Sequence, residues 1–179
     1  MNYGLSRVIG ENETGGRIQS DEDYRREAWA FVLAGGALFS HLDYSFSVGH
    51  EDGTFVYPRA QPGGGSAALR RQLGVLADFM RGFDLLRMTP QSAEAIAGKL
   101  PEGVGGFVLA ERGRQVAAYF CRTADKVEAG TPPTTVSLSM PMAAYRVQWL
   151  DPISGRVLAG DTSTSPPFGR DIALRALAR

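Results

Sequence analysis

Arg7-Val8-Ile9-Gly10-Glu11-Asn12-Glu13-Thr14-Gly15-Gly16 is the stretch on which the reading of this chain turns. A short strand-like run, Arg7 to Gly10, ends in a polar, carboxylate-bearing, glycine-rich segment. Ser20 then stands in front of Asp21, Glu22 and Asp23, so a hydroxyl can cap free amides while three carboxylates meet the positive end of a helix dipole. From there Tyr24, Ala28, Phe31, Val32 and Gly35 recur at the spacing of one helix face. Gly35-Gly36 ends that helix, and Ala37 to Leu42 is apolar enough for a second buried strand. After Gly63-Gly64-Gly65, Ser66 can cap a second helix whose apolar positions are Leu69, Leu73, Leu76, Met80 and Phe83. Strand, helix, strand, helix implies parallel strands joined by a crossover.

The pattern changes at Met88-Thr89-Pro90. Gly106 to Ala110 and Gln115 to Cys121 flank the tight-turn sequence Glu111-Arg112-Gly113-Arg114. Further strands are predicted over Thr134 to Ser139, Ala144 to Leu150, Val157 to Ala159 and Ile172 to Leu177, with a proline turn at Asp151-Pro152-Ile153-Ser154-Gly155. So many short strands in so few residues read as a small antiparallel β-sandwich. The expected organisation is α/β plus all-β, with a βαβα piece over residues 1–87 and a sandwich over 88–179.

Composition narrows the function classes. The chain has 179 residues, with 19 acidic and 19 basic side chains and a formal net charge of zero. Neutrality removes the electrostatic footprint of a nucleic-acid binder, and no block of like charges suggests a membrane-seeking tail. The start of the chain lacks the apolar core of a secretory signal, and no run reaches the roughly 18 apolar residues of a spanning helix. The compartment stays open. A single cysteine, Cys121, excludes an internal disulfide and a thiolate metal cluster. Neither a metal nor a cofactor is expected: Glu51-Asp52-Gly53 lacks the alternating oxygen ligands of a calcium loop, and no P-loop lysine follows Gly63-Gly64-Gly65.

Ligands sit at the carboxyl ends of parallel strands. Glu11 and Glu13 follow the first predicted strand, and His41, Asp43 and Tyr44 follow the second. Carboxylates, a histidine and aromatic rings at strand ends are the materials of a sugar site, with carboxylates for acid, base or nucleophile work and rings for pyranose faces. Each has a plainer reading beside it. Glu13 can be a solvated loop residue, His41 a satisfied core histidine, and Asp43 a side chain bonding loop amides. Cys121, in an apolar strand, reads as structural.

Several segments together resemble a known family. Asn12-Glu13-Thr14-Gly15, Tyr24-Arg25-Arg26-Glu27-Ala28-Trp29, Gly35-Gly36-Ala37, Leu42-Asp43-Tyr44-Ser45-Phe46 and Glu51-Asp52-Gly53 are similar to the final two βα units of a (β/α)8-barrel glycoside hydrolase of the cellulase-like superfamily. Tyr145 to Gly155, with its Trp-x-Asp-Pro-x-x-Gly turn, resembles the C-terminal β-sandwich appended to such barrels. The resemblance implies that Glu13, with Glu11 as fallback, is the nucleophile at the end of the seventh strand of a retaining hydrolase. It also implies that Asp43 and Tyr44 lie near the bound carbohydrate, after the eighth strand, and His41 beside them is expected to bind substrate as well.

A full barrel needs about 250 residues. The expectation is therefore the C-terminal portion of a glycoside hydrolase, a partial (β/α)8 barrel lacking the acid/base carboxylate and inactive alone. The partners expected are a carbohydrate substrate and either the missing N-terminal barrel segment or a second copy. Exposure of the apolar face of the Ser66-capped helix is expected to drive that association. The alternative is a noncatalytic carbohydrate-binding or structural module, whose binding would depend on Trp149.

Overall fold

Why the two predicted helices form is visible at their first turns. The computed structural model describes residues 8–14, 20–58, 63–124 and 127–179. Helix α1 (Asp21–Leu33) starts with a reciprocal cap, in which Ser20 Oγ accepts from the Asp23 amide and the Asp23 carboxylate accepts from the Ser20 amide. Helix α2 (Ala67–Met80) starts at Ser66, whose Oγ accepts from the Leu69 amide at 2.9 Å. The same hydroxyl donates to Asp21 Oδ2 at 2.6 Å, tying the two helix starts together.

Strands β1 (Gly10–Thr14) and β2 (Leu38–His41) pair in parallel, as the crossover logic requires. Here the structure shifts an expectation: β1 begins at Gly10 and runs through Glu11, Asn12, Glu13 and Thr14, which the sequence reading placed in a loop. Arg7, the predicted start, lies outside the described residues.

The remaining strands are β3 (Thr89–Gln91), β4 (Val104–Glu111), β5 (Gln115–Arg122), β6 (Tyr145–Leu150), β7 (Val157–Gly160) and β8 (Asp171–Ala178). With the short helix α3 (Glu94–Ala97) between β3 and β4, they form one six-stranded antiparallel sheet in the order β3–β4–β5–β8–β6–β7. Pro90, where the sequence pattern changes, lies within β3; it is accommodated because β3 is an edge strand, where a missing amide costs no ladder bond.

One face of this sheet carries α1 and α2. Trp29 stacks on Tyr119 at 5.4 Å and meets Phe79 at 4.9 Å, inside a core that also holds Ala28, Leu33, Leu76, Met80, Leu109 and Ala117. The buried stripe of α1 is Tyr24, Arg25, Ala28, Trp29 and Leu33, displaced from the predicted stripe by the demands of a broad sheet surface. The apolar face of α2 is covered as well: Leu69, Leu76, Phe79 and Met80 are buried. Of the predicted positions Leu69, Leu76 and Met80 are buried while Leu73 and Phe83 are half-buried, and full burial of such a side chain stabilises by about 1.5–3 kcal/mol.

The opposite face of the sheet presents Val108, Phe120, Trp149, Ile172 and Leu174 to a layer containing Ile96, Val136, Leu138 and Phe168. The strand expected over Thr134 to Ser139 is reduced to isolated bridges, Thr134 with Phe168 and Ser137 with Thr164. Ser165 supplies a side-chain acceptor to the Val136 amide where a ladder partner would stand. Among the described residues this covering layer is irregular chain rather than a second sheet.

Candidate functional site

Register decides where the carboxylates of β1 sit. Gly10 pairs with Leu38, Glu11 with Phe39 and Thr14 with His41, so Asn12 and Glu13 together oppose Ser40 in a β-bulge. The β1–β2 pair has one face toward α1: Phe39 lies 6.3 Å from the Phe31 ring and His41 lies 4.9 Å from the Tyr24 ring. Among the described residues its other face is open, with Leu38 57% exposed. Asn12 and Glu13 are exposed, Glu11 is half-buried and Thr14 is buried. Thr14 Oγ1 donates to Glu27 Oε2 of α1 at 2.6 Å.

At the end of β2, His41 Nε2 stands 3.8 Å from Asp43 Oδ2, with only 8% of the histidine side chain exposed. Burial lowers the His41 pKa, against the pull of the Asp43 carboxylate. Burial alone would raise Asp43, but bonds from the Ser45 hydroxyl and amide and from Arg70 outweigh it and hold the carboxyl below its ordinary range. Arg70 of α2 organises the loop. It donates to Asp43 Oδ2 at 3.2 Å, to Ser45 Oγ at 2.6 Å and to the Gly53 carbonyl at 2.9 Å, and its guanidinium lies 4.8 Å from the Phe46 ring centre.

Tyr44 stacks on Tyr57 at 4.9 Å and 17°, and its ring edge leaves no room for a Cβ on Gly63. Gly65 (φ +130°) is required for a like reason, since a Cβ there would fall 1.9 Å from Asp43 Oδ1. Glu51 and Asp52 are occupied in their own turn, Glu51 accepting from the Gly49 amide and Asp52 from the Thr54 amide and hydroxyl.

The structure thus brings His41 and Asp43 together, places Tyr44 beside them on the loop, and puts Glu13 on the open face of the neighbouring strand. A groove of about 390 Å³ between α1 and β4–β5 is lined by Arg26, Glu27, Phe107, Cys121 and Thr123 among others. None of Glu11, Glu13, His41, Asp43 and Tyr44 lines it.

Solved structures share the fold. The chain is similar to a glycoside hydrolase family 5 from Bacteroides vulgatus ATCC 8482, with a TM-score of 0.56 and 16% identity over 89% of this chain and 37% of that one. It is similar to a second protein described as a glycoside hydrolase, with a TM-score of 0.55 and 18% identity over the same shares. The fold is glycoside hydrolase-like. The chain spans 37% of the length of either structure. No protein-family model matches the sequence, and no curated protein matches it.

Sequence reasoning passed over the residues that hold the site. Arg70 falls outside the apolar positions of α2, yet it anchors the Asp43–Gly53 loop. Thr14 and Glu27 are separated by 13 positions, and only the crossover between β1 and α1 makes them neighbours. The legible signal was Glu27 itself, four residues after Asp23 on a helix whose opening carboxylates were read only as dipole partners.

Proposed function

We infer that the chain is the C-terminal part of a glycoside hydrolase acting on a polysaccharide or glycoside by a retaining mechanism. Residues 1–87 form the last two βα units of its (β/α)8 barrel, and residues 88–179 form the appended β-rich domain. Glu13 attacks the anomeric carbon. A second carboxylate, at the end of a strand that this chain does not contribute, protonates the leaving oxygen from about 5–5.5 Å away and then activates water. Glu11, half-buried on the strand's other side, is the weaker candidate for the attack.

The observation that carries this reading is the placement of Glu13. It is an exposed carboxylate near the carboxyl end of a parallel strand, on the face of a strand pair that has no cover among the described residues. Among the described residues no third strand pairs with β1 or β2, which supports completion by further strands. The glycoside hydrolase-like fold agrees with it. His41, Asp43 and Tyr44 lie at the adjacent strand end, where Tyr44 and its partner Tyr57 offer ring edges to a sugar; the Asp43 carboxylate, committed to Ser45 and Arg70, shapes the loop. The test is aryl-glycoside turnover: the isolated chain gives none, and the completed barrel loses turnover on Glu13→Gln.

The partly exposed Tyr44–Tyr57 stack favours a second reading, noncatalytic carbohydrate binding. Polysaccharide retention by the isolated chain that survives Glu13→Gln and disappears on Tyr57→Ala would support it. Trp149 cannot serve as the discriminating residue, because it is fully buried, with Nε1 donating to the Thr162 carbonyl.

A further inference from the structure

Side chains along a regular strand alternate faces, and β1 breaks that rule at one place. Without the bulge, Glu11 and Glu13 would both lie on the side that faces α1, and Thr14 would be thrown onto the open side. The observed burial is the reverse for the last two residues: Glu13 exposed, Thr14 7% exposed. Two residues of β1, Asn12 and Glu13, sit opposite the single exposed Ser40, and pairing resumes with Thr14 against His41, both on the helix side. A bulge re-aims side chains in this way and leaves local backbone unpaired, so something must hold it.

Two contacts do so. The Thr14 carbonyl accepts from the Leu42 amide at 2.9 Å, which fixes the backbone after the bulge. The Thr14 hydroxyl donates to Glu27 Oε2 at 2.6 Å, a short charge-assisted bond that fixes which way residue 14 faces. Slipping out of the bulge would turn Thr14 to the open face, break that bond and bring Glu13 toward the carboxylate of Glu27, with like charges facing each other at close range.

We propose that the Asn12–Glu13 bulge, locked by the Thr14–Glu27 hydrogen bond, delivers Glu13 to the open face in place of Glu11, and that Glu27 is a positioning residue for the proposed nucleophile. The chemical meaning of this rests on the reading of Glu13 given above; the geometry does not. Glu27 touches no reacting atom. It acts through Thr14, and it decides which of two glutamates two residues apart is presented.

The test uses the 179-residue chain with Cys121→Ala, so that a single introduced cysteine reports on each position. Iodoacetamide is expected to modify the Glu13→Cys variant at least about tenfold faster than the Glu11→Cys variant, a discrimination that one hydrogen bond to a charged group can hold. Adding Glu27→Ala should bring the two rates together, and adding Glu27→Gln, which still accepts from Thr14, should restore their separation. Thr14→Val and Thr14→Ser make the same comparison from the other partner if Glu27→Ala does not fold. A merely structural role would speed both reporters alike and leave their ratio standing. Equal rates in the parent, or an unchanged ratio in Glu27→Ala and Thr14→Val, would overturn the proposal. Failure of the functional reading shows separately, as turnover by the completed barrel that survives Glu13→Gln while the labelling ratio is intact.

Discussion

Arg25 of α1 and Asp171 of β8 meet as an ion pair at 3.1 Å, with 4% of each side chain exposed. The pair is not alone. Arg25 Nη1 also donates to Gln72 Oε1 of α2 at 2.9 Å, and the Tyr119 hydroxyl donates to Asp171 Oδ2 at 2.7 Å. Burial and then the Asp171 carboxylate push the Tyr119 hydroxyl well above its ordinary pKa, so it remains a donor. One carboxylate therefore joins both helices to the sheet. Removing it strands a buried guanidinium, so Asp171→Ala should destabilise by about 3–5 kcal/mol. Tyr119→Phe, which removes one hydrogen bond to that carboxylate, should cost less, about 1.5–3 kcal/mol. Replacing both charges, Arg25→Met with Asp171→Leu, should cost much less than Asp171→Ala alone; urea denaturation of the three variants measures the order.

His41 makes stability depend on pH in a stated direction. Its folded pKa is lowered by burial, so between the ordinary value of 6.5 and the folded value the unfolded chain binds a proton that the folded chain does not. The contribution is whole above pH 6.5 and is lost as pH falls toward the folded pKa. His41→Gln should flatten the fall in Tm below pH 6.5 and leave the curve above it alone. A slope unchanged by the substitution would place the effect elsewhere.

Two glycines in the same region should respond with opposite signs. Gly65→Ala puts a methyl group into the Asp43 carboxylate at a strained φ, and a loss of at least about 1–3 kcal/mol is expected, with faster amide exchange across residues 43–54. Gly74, inside α2, has nothing within 4 Å of an added Cβ, so Gly74→Ala should stabilise by about 0.5–1 kcal/mol. Thermal melts and hydrogen exchange on the pair decide both points.

Trp149→Ala removes a fully buried indole that packs 6.2 Å from the Phe120 ring centre. A loss of about 3–5 kcal/mol in unfolding free energy is expected. Any loss of polysaccharide binding in that variant should track unfolding, as circular dichroism on the same sample would record.

Much of this architecture is legible in the residues because local signals and burial agree there. Ser20 and Ser66 start both helices, the Glu111–Gln115 turn joins β4 to β5, and Tyr145, Val147 and Trp149 alternate into one core. The misses share a physical cause. Glu11 to Thr14 carries no apolar residue, so its strand character comes from pairing with β2 and not from its own composition. Val136 and Leu138 have the alternation of a strand, yet after Pro132 and Pro133 they are bonded to side chains and loops. Arg70 and Glu27 look like solvated helix residues until the loop after β2 and the bulge in β1 are placed against them. Which way Glu13 faces could not be read in advance, because a bulge in β1 reverses the alternation from which facing is read.

The most direct test of the account is the rate of aryl β-glycoside hydrolysis by the 179-residue chain, measured alone and assembled with a polypeptide supplying the remaining barrel strands. The account predicts no turnover by the chain alone, and turnover by the assembly that is lost on Glu13→Gln and kept on Glu11→Gln. Turnover by the chain alone, or assembled activity that survives Glu13→Gln, would contradict it.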